Sequence, residues 1–182
     1  CDKNNFDFIL PLSKWQGWGG TTDPNKMSYE TFNFASILLN HSKNLSFYST
    51  VHIPFIHPVY AARSIATISS YFKGRIGLNI VCGWNNNEYK MFYNGSTPIN
   101  KDRYNFGTEW IKIFKLLLNK KSSKVNFNGK YFKIKSADCY PKSFDQPYPE
   151  IVSAAYSDNG RDFAIKNCKV LFTMFENLDR TK

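Results

Sequence analysis

The residue whose chemistry stands out first is Asn79, an amide inside the otherwise apolar run 76–82. A buried amide must find hydrogen-bond partners, which neighbouring strand side chains or a bound ligand can supply. His52 follows a second apolar run, 45–51, and its imidazole can serve as a general acid or base near neutral pH, line a pocket or simply pack. These two side chains are the first candidates for a functional site.

Residues suited to binding an anion begin two helical patterns. Arg103 and Tyr104 open one of them, where a guanidinium can contact a phosphate through two parallel hydrogen bonds and a helix start attracts negative charge. Ser157 opens another, and its hydroxyl can bind a phosphate or cap its own helix. These positions predict anion binding, with a surface arginine and a plain helix cap as the structural alternatives.

The elements that must position these residues alternate between strands and helices. Five short apolar runs are typical of buried parallel strands: 6–12, 45–51, 76–82, 150–155 and 170–175. Amphipathic helical patterns lie between them, at 28–41, 58–72, 103–118 and 157–167. This order predicts an α/β fold with a parallel sheet. Composition alone leaves an open doubly wound sheet and a (β/α)₈ TIM barrel equally favoured.

One segment, about 125–134, breaks the alternation. Apolar residues alternate on both sides of Asn128-Gly129, a pair that suits a type I′ turn. The pattern predicts a β-hairpin inserted into the fold rather than another strand of the sheet.

Composition and motifs narrow the function classes. The net charge is +10, but the lysines are spread out and no RRM, zinc-finger or basic-zipper pattern occurs, so nucleic-acid binding is not predicted. No apolar run reaches the ~18 residues of a membrane helix, so no membrane segment is predicted. The four cysteines lack C-x-x-C or zinc-type spacing, which indicates reduced thiols in a cytoplasmic protein and no metal site. Neither a dinucleotide fingerprint nor a P-loop motif is present.

The run 74–85, GRIGLNIVCGWN, followed by Glu88 and Tyr89, is the most specific motif. It resembles the G-R-x-x-x-N-x-V-x-G-W pattern of bacterial luciferase-like, flavin-dependent monooxygenases, in the branch of the alkanesulfonate, dimethylsulfone and pyrimidine-ring-opening enzymes. Further similar stretches follow the same order along the chain: 6–8, 14–20, 49–52, 57–63, 102–104, 127–132 and 157–161.

The resemblance implies a fold. It favours a luciferase-like (β/α)₈ TIM barrel, and it assigns residues 1–182 to a single partial barrel domain with about strands 2–6 and the hairpin insertion. Residues 1–5 resemble the end of the first helix, so we expect a partial sequence or gene fragment. The complete protein is expected to be a homo-oligomer.

The resemblance also implies an activity. The expected enzyme is a monooxygenase that receives reduced FMN from a separate NAD(P)H-dependent reductase and reacts it with O₂ to a C4a-peroxyflavin, which oxidises a small organic substrate. Two alternatives stay open: a deazaflavin-dependent oxidoreductase on the same fold, and a non-catalytic fragment or paralogue. The substrate is not defined by these motifs.

A set of flavin-contacting positions comes with the resemblance: Ser13, Lys14, Asn79, Glu88, Arg103, Tyr104 and Ser157. Asn79 is implied to contact the flavin, and Arg103 and Ser157 its phosphate. Ser13 departs from the apolar residue common in the pyrimidine enzymes. Glu88 equally suits an exposed helix start.

His52 is the candidate catalytic acid or base, although other branches of the family lack a histidine there. The tryptophans of the two loops are expected to wall the pocket and keep water from the flavin: Trp15, Trp18 and Trp84.

Overall fold

The computed structural model describes residues 2–17, 19–21, 23, 26, 28–94, 102–145 and 147–173. The strands in this part of the chain are β1 Phe8–Ile9, β2 Ser46–His52, β3 Ile76–Val81, β4 Val125–Asn128, β5 Lys133–Ala137, β6 Ile151–Ala154 and β7 Val170–Phe172. The α-helices are α1 Thr31–Asn40, α2 Pro58–Tyr71, α3 Asn86–Tyr93, α4 Arg103–Leu118 and α5 Asp158–Asn167.

Five strands form one parallel sheet in the order β1-β2-β3-β6-β7. This order follows the chain without a reversal, whereas a doubly wound sheet reverses at a switch point. Right-handed crossovers that all run in one direction place their helices on one face of the sheet. The sheet is therefore an arc of a (β/α) barrel, and the open doubly wound alternative is wrong.

The alternation of side chains along β3 separates the two faces. Leu78 and Ile80 are fully buried in the hydrophobic core beneath the helices, with Trp110 of α4. Asn79 and Val81 point to the opposite, concave face, where they line a cavity. Because successive side chains of a strand point to opposite faces, one face of the sheet packs against the helices and the other faces the cavity.

The predicted strand β1 and helix α1 are shorter than their apolar patterns. β1 ends at Ile9 because Pro11 has no N–H to continue the ladder. α1 begins at Thr31 rather than at Ser28 because the Glu30 carboxylate caps it, accepting from the N–H groups of Phe32 and Asn33. By contrast, the predicted bounds of α4 are those of the structure.

The hairpin is confirmed, but its predicted type I′ turn at Asn128-Gly129 is wrong. β4 and β5 pair through Asn128 and Lys133, so the connecting loop has four residues, 129–132. Glu109 of α4 explains the longer loop, because its carboxylate accepts from the N–H groups of Lys130 and Tyr131. A tertiary contact therefore overrides the local turn preference, and the hairpin extends to Ala137 rather than to about 134.

Two short helices differ from expectation. α3 lies in a segment for which the sequence offered only a helix start at Glu88 as an alternative, and the Asn85 side chain caps it at the N–H of Asn87. Residues 2–4 form a 3-10 helix instead of the end of an α-helix. The Asp2 carboxylate joins that turn to the start of β2 by accepting from the N–H groups of Lys43 and Leu45.

Candidate active site

A cavity of about 550 Å³ lies on the concave face of the sheet, towards the carboxyl-terminal ends of its strands. This is the edge at which (β/α) barrels place their active sites. The lining combines an apolar wall with a few polar groups: Phe8, Leu10, Pro11, Leu12, Ser13, Thr50, His52, Asn79, Val81, Trp84, Glu88, Ala154 and Phe172. Such a lining suits a small, largely apolar ligand that a few polar groups orient.

His52 and Glu88 form a buried pair at the rim of this cavity. Nε2 of His52 lies 3.1 Å from the carbonyl oxygen of Ser13, and Nδ1 lies 3.1 Å from Oε2 of Glu88. Nδ1 of His52 thus faces the Glu88 carboxylate at contact distance. The imidazole also stacks on Phe55. Since both ring nitrogens face protein oxygens, the geometry favours a positioning role for His52, and its catalytic role stays a prediction.

The Glu88 carboxylate is buried yet well paired. Its Oε1 accepts from the N–H of Trp15 at 2.9 Å. Burial alone would raise the pKa of Glu88, but the His52 ring and the N–H groups of Trp15 and Gln16 hold that pKa below its ordinary value of 4.5. Glu88 does lie in the first turn of a helix, but the expectation of an exposed side chain is wrong, because its carboxylate is buried and ties α3 to the loop 13–16.

Asn79 and Thr50 are register partners on neighbouring strands and are both 3% exposed. Nδ2 of Asn79 donates to Oγ1 of Thr50 at 3.0 Å, and that hydroxyl donates to the carbonyl oxygen of Pro11 at 2.6 Å. Oδ1 of Asn79 is buried and has no hydrogen-bond partner in the protein. A strand neighbour thus satisfies half of this amide, and the other half is left for a ligand.

Lys14 lies beside the main cavity rather than in its wall. Its ammonium forms an ion pair with Asp23, and both side chains are nearly buried. Lys14 lines two neighbouring cavities together with Ser28 and Tyr29. Ser13 lines both of these cavities as well and also reaches the main cavity, which Lys14 does not.

The residues predicted to bind an anion meet at the same edge of the sheet. The Tyr104 hydroxyl lies 3.2 Å from Oγ of Ser157, and Nη2 of Arg103 donates to that hydroxyl at 3.3 Å. Oγ of Ser157 also accepts from the N–H of Gly160 in the first turn of α5. We call Arg103, Tyr104 and Ser157 the anion cradle, because it joins a cation, two hydroxyls and a helix start.

Backbone geometry fixes the arginine of this cradle. Nη1 of Arg103 donates to the carbonyl oxygen of Gly83 at 3.0 Å. Gly83 has a positive φ of 85°, and a side chain there would collide with the hydroxyl of Tyr89. Glycine is therefore required to bring the end of β3 under Arg103.

The hairpin loop holds the start of α4. Lys130 forms an ion pair of 2.6 Å with Asp102, the residue before the helix, and the Tyr131 hydroxyl also donates to Asp102. This pairing lowers the pKa of Asp102. The hairpin insertion thus holds Asp102, the residue that precedes Arg103, through an ion pair and a hydrogen bond.

The structure brings most of the predicted residues to one edge of the sheet, in two groups. Ser13, His52, Asn79 and Glu88 line the cavity, and the anion cradle lies beyond Gly83. Trp84 lines the cavity; Trp15 packs edge-on against Phe55 and Phe92, and Trp18 lies outside the described residues.

Sequence reasoning missed Thr50, although a signal was present. Thr50 and His52 are two positions apart in a strand, so their side chains share a face. A polar pair on one face of an apolar strand indicates that this face meets polar partners. Gly83 belongs to the motif at 74–85, but its contact with Arg103 was not predicted.

Other site types are not seen in the described part of the chain. No group of three or more His, Cys, Asp or Glu side chains there could hold a metal ion. None of the helices in those ranges has both the length and the apolar character needed to cross a bilayer. Burial raises the pKa of the Cys82 thiol, which lies in the core rather than in the cavity wall.

Comparison with known proteins identifies the class that this fold and site define. The whole chain, residues 1–182, matches the family of luciferase-like monooxygenases. The chain therefore belongs to that family, as its sequence motifs indicated.

Among its relatives is the pyrimidine monooxygenase RutA of Acinetobacter baylyi, which is 30% identical over 177 residues. That match covers 96% of this chain and 46% of the relative, so the chain spans about half the length of the curated relatives it matches.

Solved structures share the fold at lower identity. The long-chain alkane monooxygenase LadA has a TM-score of 0.86 at 20% identity, covering 97% of this chain and 47% of its own. An F420-dependent secondary alcohol dehydrogenase in complex with an F420–acetone adduct has a TM-score of 0.80 at 22% identity, covering 94% of this chain and 50% of its own. These likenesses confirm the barrel fold.

Proposed function

We propose that this chain contributes the flavin site of a monooxygenase that uses reduced FMN and O₂ to oxidise a small organic substrate. The observation that carries the proposal is the meeting of two complementary features at one edge of the sheet. One is a largely apolar cavity with the buried acceptor Asn79, and the other is the anion cradle. FMN combines a flat ring with a phosphate, and membership of the family favours it over other ring phosphates.

Each group of residues has a defined task in this proposal. Arg103, Tyr104 and Ser157 hold the phosphate through charge-assisted and hydroxyl hydrogen bonds. Asn79 orients the ring, and the apolar wall that includes Leu12 keeps water away from it. When bound, reduced FMN supplies the reaction with O₂, which no side chain provides.

Glu88 and His52 act on the architecture of the site. Glu88 accepts from the N–H of Trp15, and His52 faces the carbonyl oxygen of Ser13, so together they hold the loop 13–16 over the cavity. Ser13 and Lys14 belong to this loop, and we assign them a part in flavin binding through it.

The partners follow from the same chemistry. Reduced FMN comes from a separate NAD(P)H-dependent reductase, and O₂ and the substrate enter the cavity. The name of the RutA relative makes a pyrimidine base the first substrate to assay.

A flavin titration tests the proposal. Fluorescence quenching of FMN and riboflavin by the purified protein measures the contribution of the phosphate, since riboflavin lacks it. We expect Arg103→Met to weaken FMN binding by about 30-fold, the loss expected for hydrogen bonds to a charged group, and to leave riboflavin binding unchanged. Arg63→Met, at an exposed arginine of α2 outside the cradle, is the matched control.

Other outcomes separate the alternatives. Equal affinity for FMN and riboflavin would show that the anion cradle does not bind the phosphate. Tighter binding of a deazaflavin than of FMN would favour the oxidoreductase alternative, and no binding of any flavin would favour a non-catalytic paralogue.

A further inference from the structure

Asp102 stands directly before α4 and yet does not cap this helix. An aspartate in that position ordinarily accepts from N–H groups of the first helical turn, which have no partner within the helix. The Asp102 side chain makes no such hydrogen bond. In the described part of the chain, the residue before each of the other α-helices does cap its helix through a side-chain acceptor. The first turn of α4, which includes Arg103 and Tyr104, is therefore clear of this carboxylate.

Three other side chains bind the carboxylate of Asp102 instead. The Lys130 ammonium lies 2.6 Å from Oδ2, and the Tyr131 hydroxyl donates to the same oxygen. The amide of Asn105 donates to Oδ1. The hydrogen bond from Lys130, more than that from Asn105, holds the pKa of Asp102 below its ordinary value of 3.8, so this carboxylate is ionised at neutral pH. Both of its oxygens are thus engaged by partners other than the helix start.

α4 itself holds the loop that supplies two of these partners. Oε1 of Glu109 accepts from the N–H of Lys130 at 2.8 Å, and Oε2 accepts from the N–H of Tyr131 at 3.0 Å. Oε2 also accepts from the N–H of Phe132 at 3.3 Å. A side chain at Gly129 would collide with this carboxylate, so glycine lets the loop approach the helix closely. The helix therefore fixes the hairpin loop, and the hairpin loop fixes the residue before the helix.

We propose that Lys130 is a positioning residue that keeps the start of α4 available to the flavin phosphate by pairing with Asp102. The inference rests on the proposed function, in which the anion cradle binds that phosphate. An uncompensated carboxylate directly before Arg103 would repel the phosphate, and a capping carboxylate would compete with it for the donors of the first turn. Lys130 compensates this charge and holds Oδ2 away from those donors. It acts through Asp102 and does not itself contact the flavin.

The test compares Lys130→Met with Lys130→Arg. Methionine keeps an unbranched side chain without the charge, whereas arginine keeps the charge. Fluorescence quenching gives the affinities of the purified variants for FMN and for riboflavin, which lacks the phosphate. We expect Lys130→Met to weaken FMN binding by about threefold, the size that an exposed charge pair allows, and to leave riboflavin binding unchanged. Lys130→Arg should keep the FMN affinity. Lys133→Met, at an exposed lysine of β5 in the same hairpin, is the matched control and should change neither affinity.

Removal of the carboxylate provides an independent readout. Asp102→Ala leaves no charge for Lys130 to compensate, so adding Lys130→Met to this variant should no longer weaken FMN binding. Asp102→Ala alone should not weaken it either. A merely structural role of the ion pair would give the opposite pattern, in which Asp102→Ala and Lys130→Met weaken FMN binding equally because each breaks the tie between hairpin and helix.

The outcomes are distinguishable. An unchanged FMN affinity in Lys130→Met, an equal loss for FMN and riboflavin, or an equal loss in Asp102→Ala would overturn the inference while the proposed flavin site stands. If the unaltered protein binds no flavin, or binds FMN no more tightly than riboflavin, the proposed function or its anion cradle fails instead. If Lys130→Met does not fold, as judged by circular dichroism, Lys130→Gln takes its place with the same expected loss.

Discussion

The two edges of the parallel sheet both hold large cavities, but they differ in how far their polar groups are paired with one another. The amino-terminal edge has a cavity of about 620 Å³ and the carboxyl-terminal edge one of about 550 Å³, so size does not tell them apart. At the amino-terminal edge the Tyr48 hydroxyl donates to Glu150 at 2.6 Å, and Glu150 pairs with Lys169 at 2.6 Å. Polar groups there satisfy one another.

The carboxyl-terminal edge leaves polar atoms open. Among the residues that the structure describes, buried side-chain oxygens of Thr31, Asn79 and Thr173 have no hydrogen-bond partner, whereas Nδ1 of His52 faces the Glu88 carboxylate at 3.1 Å. Asn79 lies in the second half of β3, Thr173 directly follows β7, and Thr31 is the first residue of α1. Since an unpaired buried polar atom costs stability, these open atoms support our proposal that the ligand binds at the carboxyl-terminal edge.

We expect the largest loss of stability from a substitution at the amino-terminal edge. Arg75 donates to the carbonyl oxygens of Leu39, Ser42 and Leu45, joining β3 to the end of α1. We expect Arg75→Met to lower the free energy of unfolding by about 3 kcal/mol, because it leaves several carbonyl groups without a charged donor. Urea unfolding measures the loss, and FMN affinity should stay unchanged. A loss of FMN affinity in the folded variant would contradict the assignment of flavin binding to the carboxyl-terminal edge alone.

A smaller effect is expected from Glu88, the paired carboxylate of the carboxyl-terminal edge. Its native pKa lies below the ordinary 4.5, so its stabilisation is present above pH 4.5 and is lost as the pH falls through the native pKa. Glu88→Gln should cost about 2 kcal/mol at neutral pH, since hydrogen bonds to a charged group are lost. Urea unfolding across this pH range should show the difference shrinking on acidification; a pH-independent difference would contradict the pairing with His52 and Trp15.

The smallest effect tests Asn79 itself. Asn79→Leu removes a hydrogen bond to Thr50 but also a buried oxygen without a protein partner; because these two effects oppose each other, we expect the free energy of unfolding to change by less than about 0.5 kcal/mol. Affinity should fall by about tenfold for FMN and for riboflavin alike, because the contact is to the ring. Arg103→Met provides the contrast, since it should affect FMN alone. A large loss of stability with intact flavin binding would make Asn79 a structural residue.

Local patterns predicted the elements whose signals are local. The apolar period in 103–118 gave both ends of α4, and Ser157, predicted to bind a phosphate or to cap its own helix, does cap it at Gly160, while phosphate binding stays a prediction. The hairpin turn was predicted wrongly because Glu109, distant in sequence, binds its loop. α3 was indicated only by the alternative of a helix start at Glu88, because it is short and packs through only two fully buried residues, Glu88 and Tyr89.

The site divides in the same way. The sequence by itself singled out candidate residues, since a buried amide in an apolar strand must find hydrogen-bond partners, and their roles stay predictions. It also determined the family, through motifs in a fixed order along the chain. It could not determine which of those groups the protein satisfies internally.

Only the tertiary structure decided that question. Strand order chose the barrel over the doubly wound sheet, and the register of β2 against β3 set Thr50 opposite Asn79. In that register the amide nitrogen of Asn79 donates to Thr50, whereas the amide oxygen has no protein partner. Lys14 forms an ion pair with Asp23. Hydrogen bonds are made between groups that the fold brings within 3 Å or so of each other, and such distances depend on how distant segments pack rather than on any local pattern.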